Sequence, residues 1–152
     1  MKLEFLMEIH ADVQQPMRNA GDGPFGTRGL AVVTGGSFEG SRLKGKIWAG
    51  GGDWFLLGPD GVGRLDVRAT FETDDGALIY VQYYGVIRPE EGRPVPQPGE
   101  TSEYGDRYFM TTPRFETGDE RYTWLNDLVC VAEGNRRPGT GPEYRVYAVV
   151  ND

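Results

Sequence analysis

The sequence predicts an all-β protein, a single antiparallel β-barrel of about nine or ten strands with a central cavity. Two observations support this fold class. The 152 residues include 23 glycines and 10 prolines, which favour frequent turns, and seven Phe, eight Tyr and three Trp are available for short apolar strands. No segment has the periodicity of a long helix, and closing the sheet removes exposed strand edges. The length fits one domain over residues 1–152.

The strands can be placed in order along the chain. Residues 2–13 alternate apolar and polar side chains, as a half-buried strand does. Residues 14–29 are rich in Gly, Pro and Asn, and we predict an irregular loop that presents Arg28. The remaining predicted strands cover residues 30–34, 44–48, 53–57, 63–72, 77–87, 108–115, 128–133 and 144–150. Residues 88–107, rich in Pro and Gly, are predicted to form either a lid or a mobile loop.

A hairpin joins the predicted strands 63–72 and 77–87. If Asp75 and Gly76 form a two-residue loop, Arg68 lies opposite Tyr83, and Asp66 lies opposite Gly85. The 77–87 strand is apolar on both faces, a pattern typical of strands that are covered on both sides. We therefore predict a homo-oligomer, a dimer or larger, in which a second copy provides part of the cover.

The composition argues against several classes of partner and cofactor. The chain has 23 acidic and 16 basic residues and a net charge of -7, and the basic residues are scattered, which argues against nucleic acid and anionic membranes as partners. No apolar run has the length of a membrane span or signal peptide, so we expect a soluble, cytoplasmic protein. One His and one Cys do not suit a metal site, and no glycine-rich loop has the features of a nucleotide site. We expect no cofactor.

The candidate site lies in the segment from Ala49 to Arg68. Three glycines, Gly50 to Gly52, allow a tight bend directly before Asp53 and Trp54; we call this bend the glycine corner. Further along the segment, Asp66 and Arg68 share the polar face of a strand whose other face is apolar, and this alternation favours a solvated surface pair.

A second arrangement turns the polar face of that strand into the barrel. Four charged residues then form a cluster inside an aromatic cavity: Arg28, Asp53, Asp66 and Arg68. Burial there would tune the protonation of a carboxylate for acid–base chemistry. The cavity walls in this arrangement would include four aromatic side chains: Trp54, Tyr83, Tyr108 and Trp124.

The order of several motifs resembles a known family. These are Gly26-Thr27-Arg28, Gly35-Gly36-Ser37-Phe38-Glu39-Gly40, Gly51-Gly52-Asp53-Trp54, Asp60-Gly61, Leu65-Asp66-Val67-Arg68, Asp75-Gly76-Ala77-Leu78-Ile79 and Tyr122-Thr123-Trp124-Leu125-Asn126. They resemble a bacterial and fungal family of small β-barrel proteins catalogued as a domain of unknown function. The resemblance implies a barrel similar to those of allene oxide cyclase and dirigent proteins, with a central cavity and a tendency to self-associate. Those barrels steer ring closure or coupling of a small organic molecule without a cofactor.

These observations lead to a functional hypothesis and two alternatives. The hypothesis is a cofactor-independent isomerase, cyclase or lyase acting on a mostly apolar cyclic or aromatic compound. Asp53 or Asp66 would move a proton, Arg28 and Arg68 would hold an oxygen-bearing group, and the substrate would contact Trp54, Tyr83, Tyr108, Trp124 and Asn126. The first alternative is a lipocalin-like carrier that performs no chemistry. The second is a structural protein whose charged residues brace the glycine corner.

Overall fold

The computed structural model describes residues 1–90, 102–137 and 141–152. The described residues form twelve strands and a single 3-10 turn, Thr123–Leu125. The strands are β1 (Lys2–Val13), β2 (Arg18–Gly23), β3 (Gly26–Glu39), β4 (Lys44–Ile47), β5 (Gly52–Asp53), β6 (Leu56–Leu57), β7 (Gly63–Thr73), β8 (Leu78–Ile87), β9 (Phe109–Thr111), β10 (Arg114–Glu116), β11 (Cys130–Arg136) and β12 (Pro142–Val150).

The strands close into an antiparallel barrel with eight positions in its wall. From β7 the ladder passes through β8, β9, β11, β12, β1 and β3, and returns to β7 through β4, β5 and β6. The short strands β4, β5 and β6 follow one another along one position of the wall, and β9 and β10 follow one another along another. The all-β barrel predicted from the sequence is confirmed.

Two glycine-containing segments differ from the prediction. Strand β3 does not stop at Thr34 but continues through Gly35 and Gly36, and Gly36 has φ +138°. Residues 14–29 are not wholly irregular, because β2 and the first part of β3 form a hairpin. Composition alone predicted neither the continuation of β3 nor the β2–β3 hairpin. Paired glycines adopt extended structure wherever a neighbouring strand supplies the hydrogen bonds.

The loop between β7 and β8 differs in register from the prediction. Thr73 N donates to Ala77 O at 2.9 Å, and Gly76, with φ +91°, donates from its N to Thr73 O at 2.9 Å. The loop therefore contains three residues, 74–76, with glycine in the left-handed position. As a result Arg68 pairs with Gln82 instead of Tyr83, and Asp66 pairs with Tyr84 instead of Gly85.

The two ends of the barrel have different chemistry. At one end Phe38 and Phe71 stack with ring centroids 4.8 Å apart, and Leu125 of the 3-10 turn is fully buried. The 3-10 turn follows Tyr122, whose hydroxyl bonds the Asp75 carboxylate in the β7–β8 loop at 2.9 Å. We call this the packed end. Val67, which pairs with Asp53, lies about 13 Å along β7 from Phe71, toward the other end.

Among the described residues, no helical segment has the length and hydropathy of a transmembrane helix.

Candidate functional site

Asp53 lies on the inner face of the barrel. It pairs with Ala31 on β3 and with Val67 on β7, both of which are buried. Directly opposed residues in antiparallel strands point to the same face, so the Asp53 side chain shares the interior with these two apolar side chains. Asp53 itself is half-buried. The Asp53 carboxylate is therefore partly shielded from water but keeps some access to solvent.

The surroundings of Asp53 raise its pKa. The Asp53 Oδ1 atom accepts a hydrogen bond from Asp66 N at 2.9 Å. Burial raises the pKa of Asp53 to about 6; the negative charge of Asp66 adds to this rise, while the Asp66 backbone hydrogen bond and the positive charge of Arg136 oppose it. A carboxyl group with such a pKa can gain or lose a proton near neutral pH, as general acid–base catalysis requires.

Two tyrosines share the interior with Asp53. The rings of Tyr83 and Tyr144 meet edge to face with centroids 5.3 Å apart, and Phe109 meets Tyr144 at 5.5 Å. The Tyr83 and Tyr144 hydroxyls are hydrogen-bonded to each other. Burial raises the pKa of both phenols, and the negative charge of Asp53 adds to the rise. Both hydroxyls therefore stay protonated at neutral pH; one donates to the other, and one O–H is left to donate elsewhere.

Arg136 adds a positive charge to this end of the barrel. It lies on β11 two residues beyond Gly134, which pairs with Tyr144, so Arg136 shares the inner face. The charge of Arg136 acts on both Asp53 and Tyr144. Together these residues provide a proton-transfer group, one free hydroxyl donor and a cation. We call Asp53, Tyr83, Tyr144 and Arg136 the inner cluster.

The other three charged residues of the sequence hypothesis lie outside the barrel. Asp66 and Arg68 pair with Tyr84 and Gln82 on the outer face, whereas Leu65, Val67 and Ala69 fill the interior. Arg28 is exposed, and its Nη1 lies 3.4 Å from Trp54 O. The four charged side chains therefore do not form one interior cluster, because the two-residue period of β7 sends its apolar side chains inward.

The predicted binding residues are similarly divided. Tyr83 belongs to the inner cluster, whereas Trp54 is 45% exposed and points outward from the segment between β5 and β6. Tyr108 is also exposed, and the guanidinium carbon of Arg88 lies 4.0 Å from its ring centroid. Trp124 belongs to the packed end, where Arg42 lies 3.5 Å from its ring centroid.

Asn126, predicted to bind substrate, clamps the chain near the packed end. Its Oδ1 accepts a hydrogen bond from Thr117 N at 2.9 Å, and its Nδ2 donates to Thr117 O at 3.0 Å. The side-chain amide thus substitutes for a neighbouring strand at this point.

We expect Asn126→Ala to lower the free energy of unfolding by about 1–2 kcal/mol in urea denaturation, because it removes the partner of a backbone N–H and C=O. An unchanged midpoint would contradict this structural role.

Sequence reasoning missed Tyr144 and Arg136, although a signal for Arg136 exists. The predicted strand 128–133 ends too early. Continuing its alternation from Cys130 through Ala132 and Gly134 leads to Arg136 on the same inner face. Gly134 is required at its position, since a Cβ atom there would lie 2.6 Å from the Phe109 ring. No local pattern distinguishes Tyr144 from an ordinary core tyrosine.

The predicted lid, residues 88–107, is described only in part. Ser102 bonds the side chain of Asn135, and Arg145 lies 4.0 Å from the Tyr104 ring centroid. Asn135 and Arg145 alternate with the inward-facing residues of β11 and β12, so this part of the segment packs against the outer wall. Residues 91–101 and 138–140 lie outside the described residues. The lid and the central cavity both stay predictions.

A separate groove of about 450 Å³ lies in the wall between β10 and β11. The β9–β11 ladder includes the pair Thr111 and Ala132, and the next inward pair would place Pro113 opposite Cys130. Proline has no N–H to donate, so the ladder ends there and the wall opens. Asp53 does not line this groove; the groove is therefore distinct from the inner cluster.

Fold and site together define a small β-barrel with ionisable side chains at one end of its interior. The chain belongs to the family described as "Protein of unknown function (DUF3237)", whose model matches residues 1–149. It is 32% identical over 139 residues to a UPF0311 protein of Clostridium acetobutylicum, a match that covers 91% of this chain and 88% of that protein. The family resemblance seen in the sequence motifs is confirmed.

Solved structures share the fold. A crystal structure of a β-barrel-like protein from Acinetobacter baumannii has a TM-score of 0.81 and 32% identity, and the match covers 97% of this chain and 94% of that one. A structure described as an enzyme from Penicillium herquei has a TM-score of 0.67 and 22% identity, with 95% of this chain and 93% of that one covered. The second likeness shows the fold alone.

Proposed function

We propose that this protein is a cofactor-independent enzyme, an isomerase, cyclase or lyase, that acts on a mostly apolar cyclic or aromatic small molecule at the inner cluster. The observation that carries this proposal is the placement of Asp53, a half-buried carboxylate on the inner face of an otherwise largely apolar barrel. A buried carboxylate costs stability unless it is well compensated. Its retention beside Tyr83, Tyr144 and Arg136 supports a chemical role.

The inner cluster suggests a division of labour. Asp53 in its ionised form removes a proton from a carbon or hydroxyl group of the substrate and returns it at another position. Arg136 and the one phenolic O–H of the Tyr83–Tyr144 pair that is not donated within the pair stabilise the negative charge that develops on a substrate oxygen. The aromatic edges of Tyr83 and Phe109 supply an apolar surface for a ring. The side chains of Arg28, Asp66 and Arg68 lie on the outer face and do not contact the substrate, although Asp66 acts on Asp53 through its backbone N–H and its charge.

The reaction rate should depend on the ionisation of Asp53. If Asp53 acts as the base, the rate rises with pH and its acidic limb has an apparent pKa near 6, since burial raises the pKa of this carboxyl to about 6. A pH–rate profile of kcat/KM for the free enzyme checks this. An acidic limb centred near pH 4 would rule out the raised pKa as a feature of the working enzyme.

A carrier without chemistry is the second candidate. The hydrogen bond between Tyr83 and Tyr144 favours it, because one of the two phenolic O–H groups already has its acceptor in the interior without any substrate. In that case Asp53 would serve only to hold a polar group of the ligand.

The partner in both cases is a small organic molecule. A cytoplasmic location is also part of the proposal.

Recovery of bound small molecules separates the two candidates. Molecules released from the purified protein are identified by mass spectrometry, and each is returned to wild-type protein, to Asp53→Asn and to the exposed control Asp74→Asn. An enzyme converts the molecule or forms it in reverse; Asp53→Asn abolishes this conversion and Asp74→Asn does not. Saturable binding with the molecule recovered unchanged from all three proteins would favour the carrier. Equal conversion by wild type and Asp53→Asn would overturn the role of Asp53.

A further inference from the structure

One part of the outer wall carries large side chains in exposed positions. We call it the aromatic face; it consists of Trp48 (41% exposed), Trp54 (45%), Tyr80 (40%), Tyr84 (57%) and Met110 (37%). Trp, Tyr and Met are enriched at protein interfaces relative to other surfaces, whereas single-chain proteins rarely expose large continuous patches of them. The face therefore has the composition of an interaction surface.

Strand pairing makes the aromatic face continuous. The Trp48 N–H bonds Thr70 O at 2.9 Å, and Thr70 pairs with Tyr80. Trp54 follows Asp53 and its N–H bonds Asp66 O at 3.0 Å, and Asp66 pairs with Tyr84. Both rows run across the wall positions of β4–β6, β7 and β8. They lie on either side of the row that contains Arg68.

The centre of the face contains a carboxylate that is poorly compensated. Asp66 lies between Trp54 and Tyr84, and its Oδ1 atom is buried with no hydrogen-bond partner among the described residues. A buried acceptor without a donor is costly. Arg68, two residues further on, is exposed, and hydrogen bonding with the Tyr80 hydroxyl and the charge of Asp66 raise its pKa. Each of the two charges thus has capacity for a further partner.

The charges of this face complement a second copy of the same face. Asp66 and Arg68 stand on one strand with opposite signs, about 7 Å apart. A two-fold axis that lies in the interface, parallel to the sheet and perpendicular to β7 midway between the two residues, places Arg68 of each copy against Asp66 of the other. This is the self-complementary pattern of a symmetric dimer. The neighbouring Arg114 and Glu116 on β10 also have opposite signs. The face is thus nearly balanced in charge although the whole chain carries -7.

We infer that the aromatic face binds a second copy of this chain through a symmetric contact centred on Asp66 and Arg68. The contact buries the exposed Trp and Tyr rings, as the core of a stable interface does. It also gives Asp66 a donor from outside its own chain. This dimer does not depend on the chemistry of the inner cluster, because Asp66 and Arg68 lie on the opposite face of the sheet from Asp53.

Sedimentation velocity of the full-length protein over a range of concentrations tests the dimer. Wild type is expected to dimerise, and Arg68→Asp and Asp66→Arg are each expected to weaken the dimer by at least about 30-fold, the effect of a strong interface residue. The double variant Asp66→Arg/Arg68→Asp restores the dimer, because the charges again oppose each other across the axis. The control is Lys2→Asp, which reverses a charge in an exposed ion pair between Lys2 and Glu4. Both residues lie on β1, outside the aromatic face, so this variant leaves the dimer unchanged.

A neutral variant covers the case in which a charge reversal disturbs folding. Tyr84→Ser removes an exposed ring and is expected to weaken the dimer while the circular dichroism spectrum stays that of wild type. The inference is overturned if wild type sediments as a monomer at its highest soluble concentration, if Tyr84→Ser or Arg68→Asp dimerises like wild type, or if the double charge reversal folds but does not dimerise.

Discussion

Replacing Asp53 by asparagine is expected to stabilise the protein at pH 8 by about 2–3 kcal/mol. Burial raises the pKa of Asp53 to about 6 in the folded protein, from 3.8 in an unperturbed carboxyl group. The folded state therefore binds a proton that the unfolded state has lost between these two values. Because of Asp53, the free energy of unfolding falls as the pH rises from about 4 to about 6, and above pH 6 the whole decrease is present.

Asparagine is neutral at every pH and keeps an oxygen that can accept the hydrogen bond from Asp66 N. Urea denaturation of both proteins from pH 3.5 to pH 8 measures the difference. It should be small at pH 3.5 and largest at pH 8. Asp74→Asn is the matched control, because Asp74 is exposed and its nearest cation, Lys44, is 3.9 Å away. A variant that is less stable than wild type at pH 8 would show that the Asp53 charge is well compensated.

The second large effect is expected at the packed end. Phe71→Ala should lower the free energy of unfolding by about 3–5 kcal/mol, since it removes a buried ring from the core. Phe71 is 2% exposed and stacks on Phe38 with the ring planes 21° apart. The midpoint of urea denaturation measures the loss. Phe5→Ala is the control, because Phe5 is 52% exposed and should cost less than about 1 kcal/mol.

The same variant tests whether the two ends of the barrel are independent. Sites more than about 7–10 Å apart with no shared partner usually behave additively. Phe71→Ala/Asp53→Asn should therefore show the sum of the two single changes at pH 8. A strong departure from additivity would mean that the packed end determines the environment of Asp53.

The fold could be predicted from the sequence because its signals are local. Alternation in residues 2–13 and 63–72 and the glycine turns define strands without knowledge of their partners. The breaks could not be predicted as readily. Pro113 divides β9 from β10 because proline lacks an N–H, and this matters only once β11 is known to lie alongside. The three-residue loop at 74–76 shifted the predicted register by one residue.

The candidate site was predicted only in part. Asp53 and Tyr83 were both chosen from the sequence, and the structure brings them to the same interior end. Arg28, Asp66 and Arg68 have suitable chemistry but point outward. Arg136 replaces them as the interior cation, from a strand more than 60 residues away in sequence. Which charged groups meet inside a barrel depends on how distant strands pair, and local patterns do not carry that information.

The ionisation of Asp53 is the most direct test of the inner cluster. Carbon-13 NMR of the aspartate carboxyl groups, titrated from pH 3 to pH 9 in wild type and in Asp53→Asn, identifies the one resonance that the variant lacks. The inner cluster predicts a midpoint near 6 for that resonance, because burial raises the pKa of Asp53 to about 6. A midpoint at or below 4 would contradict a buried acid–base group at this position.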